Sequence, residues 1–254
     1  MLFLLIRIFP VLIPVGYFFI LKFLFAFSGA WYWFLILAAA LNLFYFILLN
    51  WKLGRKRVWF FALYSEIFVV LGLVNALLLS NQIFINLFII IWSIIYLIYL
   101  ESVFNYLYRT TRFSLIDLKS IAGYISLLMC FIISYALLNF YVFLNFPWWA
   151  LIIIYFPVIF ILFFERFLAY DFPFKTNFLY SFLTALVLIE ILIVLLWWPN
   201  SIYVLALILL IFYYLLSSIA ILYWQDKLTK KSARQYLVFA AVVLVLVLMT
   251  ASWR

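Results

Sequence analysis

The chain has 254 residues, of which 73% are hydrophobic and 24% aromatic, while only 9% carry a charge. A soluble domain usually holds about 25% charged and about 45–50% apolar residues. A soluble fold of this length is therefore excluded, and lipid must solvate most side chains. The formal net charge of +9 would suggest a nucleic-acid surface only if its placement were ignored.

Crossing about 30 Å of hydrocarbon takes about 20 helical residues, and nine apolar runs are long enough. The first, 8–27, follows a start with neither the basic head nor the small-residue cleavage site of a signal peptide, so it is expected to be a retained span. It contains Lys22 and should be kinked by Pro10 and Pro14. The turn Ser28-Gly29 leads to span 31–51, where Ala38, Ala39 and Ala40 precede Asn42. Span 58–79 carries Glu66 and a small-xxx-small pair, Gly72 and Ala76, which favours packing of this helix against the second. Ser80-Asn81-Gln82 turns the chain into span 83–105, with Trp92 in its middle and Glu101, Asn105 and Arg109 spaced along one face at its end.

The fifth span, 118–141, holds the single cysteine, Cys130. Asn145-Phe146-Pro147 opens span 147–168, which Pro157 should bend and which ends in Glu165-Arg166. Span 177–198 carries Glu190, Pro199-Asn200-Ser201 opens span 201–224, and the last span is 235–253. The runs are continuous, without the alternation of barrel strands, and each helix satisfies its own backbone. The expected fold class is an all-α membrane protein, a single integral-membrane domain over 1–254. It is a polytopic bundle of about nine transmembrane helices, arranged as hairpins with very short outer turns.

Orientation follows from the basic residues. Arg7, Lys52, Arg55, Lys56, Arg57, Arg109, Arg112, Lys119, Arg166, Lys175, Lys227, Lys230, Lys231 and Arg234 occupy alternate gaps between the runs, and the other gaps hold only Arg254 at the terminus. Short loops with this bias mark the cytoplasmic face, so the N-terminus is expected inside and the C-terminus outside. Tryptophan gives an independent reading, because its amphipathic ring prefers the headgroup level. Ten of the eleven tryptophans fall at predicted span ends, and Trp92 is the exception. The hairpins look faintly alike, with Tyr64-Ser65 and Tyr180-Ser181 opening two of them, but turn spacing is too uneven to define a repeat.

Five of the seven acids, Glu101, Asp117, Glu165, Asp171 and Asp226, lie beside the basic gaps, where local pairing is their expected role. Glu66 and Glu190 lie deeper. Glu66 is about 13 Å in from the cytoplasmic edge and Glu190 about 12 Å from the outer edge, at ~1.5 Å per residue. The apolar residues around them outweigh the roughly +3 kcal/mol for one membrane charge, so both spans insert, and each carboxyl then needs a partner or a proton. Matching depths pair Glu66 with Asn42 and Glu190 with Lys22, both inside the bundle. Lys22, Asn42, Glu66 and Glu190 are thus the candidate intramembrane polar residues.

No histidine is present, and no phosphate loop, paired-carboxylate motif or metal-ligand spacing occurs, so neither catalysis nor a metal or other cofactor is expected. The expected role is a non-catalytic multi-pass component of the plasma membrane, a scaffold or subunit of a larger assembly. The rival is a proton-coupled or passive transporter of an apolar or lipidic small molecule that uses Glu66 or Glu190. The expected partners are anionic headgroups at the cytoplasmic face and other membrane proteins, with no nucleic acid.

Overall fold

The computed structural model describes residues 2–26, 31–53, 57–108 and 112–249, with the side chains of 2–6, 25–26, 31, 52–53, 57 and 112–117 left aside. The described residues form nine α-helices. These are α1 (Leu2–Ala26), α2 (Trp31–Leu53), α3 (Arg57–Leu78), α4 (Gln82–Tyr108), α5 (Arg112–Phe143), α6 (Trp148–Ala169), α7 (Phe174–Leu196), α8 (Ile202–Trp224) and α9 (Lys230–Met249). Each is long and apolar enough to cross a membrane. The Ser28-Gly29 turn lies outside the described residues, whereas short connections join α3 to α4, α5 to α6 and α7 to α8.

Helix and apolar run part company at polar ends. α5 starts at Arg112 rather than near 118, and α9 at Lys230 rather than near 235. The backbone hydrogen bonds of a helix continue into the headgroup layer, where long basic side chains are well solvated. α1 continues without a break through Pro10 and Pro14, as does α6 through Pro157.

Asp171 and Asp226 do conformational work. Both adopt left-handed backbone, at φ 61° and 54°, just after α6 and α8. At the first stop the Asp171 amide bonds the Leu168 carbonyl, and the Phe172 amide bonds that of Phe167. At the second, Asp226 bonds to Tyr223 and Lys227 to Leu222. This is the paired closure of a helix C-terminus, and aspartate tolerates the left-handed position because its short polar side chain bonds locally. The sequence reading assigned these acids to local charge pairing and missed this role.

The chain divides into two compact units, Met1–Ile125 and Ser126–Arg254, and the boundary falls within α5. In the first unit α1 packs on α2 and α4, and α3 packs on the same two helices, which closes a four-helix arrangement. In the second, α6 packs on α7 and α8, α7 also meets α8, and α9 lies against α8. α9 is sparsely covered, with Ala240 its one buried residue among those described. Trp33, Trp51, Trp148, Trp149 and Trp197 are exposed near helix ends, while Trp92 is buried.

Candidate functional site

In the first unit a polar cluster is built around Asn42 of α2. The Asn42 Nδ2 donates to Glu66 Oε1 at 2.9 Å, which joins the two residues as their depths predicted. Ser65 Oγ and Tyr96 OH both donate to Asn42 Oδ1, at 2.9 and 2.7 Å. These hydroxyls are 3.0 Å apart, and each has committed its one proton to Asn42. One amide thereby ties α2 to α3 and α4. Asn42, Ser65 and Tyr96 are fully buried, while Glu66 is half-buried at the edge of the cluster.

Tyr17 adds α1. Its hydroxyl donates to the Val69 carbonyl at 2.7 Å, and its ring meets Tyr96 edge-on with centroids 5.6 Å apart. Phe68 stacks on Trp92 at 4.2 Å and on Tyr96 at 5.1 Å. Gly72 makes this packing possible, since a Cβ there would run into the Trp92 indole and the Tyr17 hydroxyl. The small face of α3 at Gly72 therefore receives α4 and α1, which corrects the expectation that it serves α2. The α2–α3 packing exists as well, and Asn42 carries its polar link.

The other two predicted residues are placed differently. Lys22 belongs to the first unit and Glu190 to the second, and each is exposed on its own helix. The Lys22 ammonium lies over the Phe18 ring, 5.4 Å from its centroid. Glu190 stands on the α7 surface near exposed Leu186, Val187 and Val194. Within its own unit neither is an interior residue: depth is readable from run length, but facing is not, because these helices are apolar on every side.

The second unit buries charges that the sequence reading placed in an interfacial pair. Glu165 of α6 is 0% exposed and Arg166 is 7% exposed. Both Glu165 oxygens and the Nε and Nη1 of Arg166 lack hydrogen-bond partners. Consecutive helical positions point about 100° apart, so neighbours in sequence do not face each other. The Arg166 guanidinium instead sits over the Tyr213 ring of α8, 5.8 Å from its centroid, and Tyr213 stacks on Phe163 at 4.4 Å.

Other polar groups of the second unit are hydrogen-bonded. Ser134 of α5 bonds the Cys130 carbonyl at 2.6 Å and lies 2.9 Å from Tyr155 OH. Asn177 of α7 donates to the Phe164 carbonyl at 3.0 Å and accepts from Ser181 at the same distance. In the first unit, at the end of α4, Asn105 Nδ2 reaches Glu101 at 3.4 Å, while Arg109 lies outside the described residues. The aromatic and hydroxyl members of both clusters were missed. Their available signal was tyrosine far from a span end, because a hydroxyl in hydrocarbon needs a partner.

The nine membrane-length helices among the described residues, with their buried polar clusters, define a multi-pass helical membrane protein. The chain belongs to the DUF5656 family, whose description is a protein of unknown function and whose profile matches residues 111–250. That segment covers α5 to α9 and contains Glu165 and Arg166, while Asn42 and Glu66 precede it. No curated protein and no solved structure matches the chain. Among the described residues no group of three His, Cys, Asp or Glu residues is arranged to hold a metal ion.

Proposed function

We propose that this chain is a non-catalytic component of the plasma membrane, a scaffold or subunit of a larger membrane assembly. In this reading its N-terminus and basic loops face the cytoplasm and its short turns face outward. The observation that carries the proposal is Glu190, exposed on α7 among aliphatic side chains within a helix of membrane-spanning length. A carboxylate against lipid costs several kcal/mol unless it is paired or protonated, and a neighbouring helix with a basic or hydroxyl side chain would relieve that cost. The Asn42 cluster supports the same reading, because its hydrogen bonds tie helices together as a frame.

The test is photo-crosslinking in native membranes from p-benzoylphenylalanine at Val187, one turn from Glu190. The expected product is an adduct with a membrane protein of defined mass, reduced at least threefold by Glu190→Leu. Adducts with lipid alone would overturn the proposal. The transporter reading keeps one specific support: among the described residues the second carboxyl oxygen of Glu66 has no hydrogen-bond partner, and Glu66 is half-buried beside a fully buried cluster. Proton-driven uptake of an apolar cargo into proteoliposomes, lost on Glu66→Gln, would establish that reading instead.

A further inference from the structure

A cavity of about 560 Å³ opens in the second unit where α5 ends and α8 begins. Tyr135, Asn139 and Val142 of α5 form one wall, and Asn200, Ser201 and Tyr203 form the other. Its size lies within the range of about 300–1,000 Å³ typical of small-ligand sites. A second cavity of about 430 Å³, at the α5–α6 turn, shares Val142 and is lined by Asn145 and Trp148 among others.

The chemistry of the larger cavity is specific in two respects. Its lining holds no Lys, Arg, Asp or Glu, so nothing in it selects a net charge. It does hold both donors and acceptors beside flat aromatic surface. Tyr135 and Tyr203 stack at 4.9 Å with their hydroxyls 3.1 Å apart, and Tyr203 is 60% exposed. Asn139 spends its Nδ2 on the Tyr135 carbonyl, which leaves its Oδ1 as an acceptor. Asn200 spends its Oδ1 on the Ser201 amide, and its buried Nδ2 has no partner. The Ser201 hydroxyl precedes α8 without capping it.

Glycosyl groups are neutral ligands that need donors, acceptors and an apolar ring face together. Sugar hydroxyls give and take hydrogen bonds, and the C–H face of a pyranose packs on an aromatic ring. Exposed Trp148 and Trp197 near this end of the unit suit the headgroup level. We propose that this cavity binds a neutral glycosyl unit, either the headgroup of a glycosylated lipid or a free oligosaccharide. The tyrosine pair supplies the platform, and Asn139, Asn200 and the Tyr203 hydroxyl, which accepts from Tyr135 and keeps its own proton to donate, read the sugar hydroxyls.

The test uses the full chain in phosphatidylcholine nanodiscs doped equally with monoglucosyl-diacylglycerol and with phosphatidylglycerol of the same acyl chains. Native mass spectrometry reads the lipid retained on the released protein. The expected result is at least fivefold enrichment of the glucosyl lipid, reduced at least threefold by Asn200→Leu and by Tyr203→Phe. The second variant keeps the ring stack and so tests recognition even where Asn200→Leu fails to fold. Competition by millimolar maltose would assign the site to the sugar alone, and enrichment that maltose does not displace would assign it to the lipid-linked form. Equal retention of the two lipids, preference for phosphatidylglycerol, or enrichment untouched by both variants would overturn the proposal.

Discussion

Asn42→Leu tests whether one amide frames the first unit. The substitution roughly preserves side-chain volume and removes three hydrogen bonds: those to Glu66, from Ser65 and from Tyr96. Interhelical hydrogen bonds in membranes average about 0.6 kcal/mol and reach about 1.7. One loss is recoverable, because Ser65 and Tyr96 lie 3.0 Å apart and regain a mutual bond once their protons are released. The net loss of two bonds is about 1.2 kcal/mol, with a ceiling near 3.4. At about 1.4 kcal/mol per tenfold, the lower figure is roughly a sevenfold shift in the unfolding equilibrium. Ser65→Ala removes the Ser65 bond alone and leaves Tyr96 on Asn42, so about half that effect is expected. Reversible unfolding in bicelles, followed by steric trapping, would measure both. The reasoning is refuted if Asn42→Leu matches the native chain, or costs no more than Ser65→Ala.

Gly72→Ala should destabilise by about 1–3 kcal/mol, the usual cost of overpacking, because its methyl meets Trp92 and Tyr17 together. The same unfolding assay checks it, and pairing it with Trp92→Phe should recover part of the loss by removing the indole nitrogen at the collision. In the second unit, Glu165→Gln and Arg166→Met should each destabilise the fold while the double variant costs less than the sum of the two. Buried opposite charges compensate one another even without a direct hydrogen bond. Cys130, fully buried, gives a local readout: maleimide should reach it only on unfolding. Strict additivity in that cycle would show that Glu165 and Arg166 are energetically independent.

Much of the architecture was legible because lipid imposes so few solutions. Run length locates each helix, with ends off by as much as six residues at the starts of α1 and α5, and backbone satisfaction dictates that they are helices. The Asn42–Glu66 bond was legible for a related reason: depth along a span is counted in residues, and polar groups at one depth in neighbouring helices seek each other. Facing was not legible. In a soluble helix the polar stripe names the outer side, but Leu, Ile and Phe cover all sides of α6 and α7, so Glu165 and Glu190 gave no sign of which would turn inward. The structure reverses the expectation drawn from depth. Glu165, the acid nearer a helix end, is buried, and Glu190, the acid deeper in its helix, is exposed.

That reversal bears on how polarity is used in the two units. Asn42 is neutral, and both ends of its amide are engaged, so a low-dielectric surrounding strengthens its bonds and leaves no buried charge behind. Glu165 and Arg166 are ionisable groups with unengaged atoms in an equally buried place. An arrangement of that kind is weak support for stability, since apolar replacements of buried ion pairs are often neutral or better. The two clusters therefore differ in what removing them should reveal. Loss of Asn42 is a loss of framework that any unfolding assay detects. Joint replacement of Glu165 and Arg166 should leave most of the stability in place, so any loss of partner adduct or bound lipid in that double variant would mark a role beyond the Arg166–Tyr213 contact of α6 with α8.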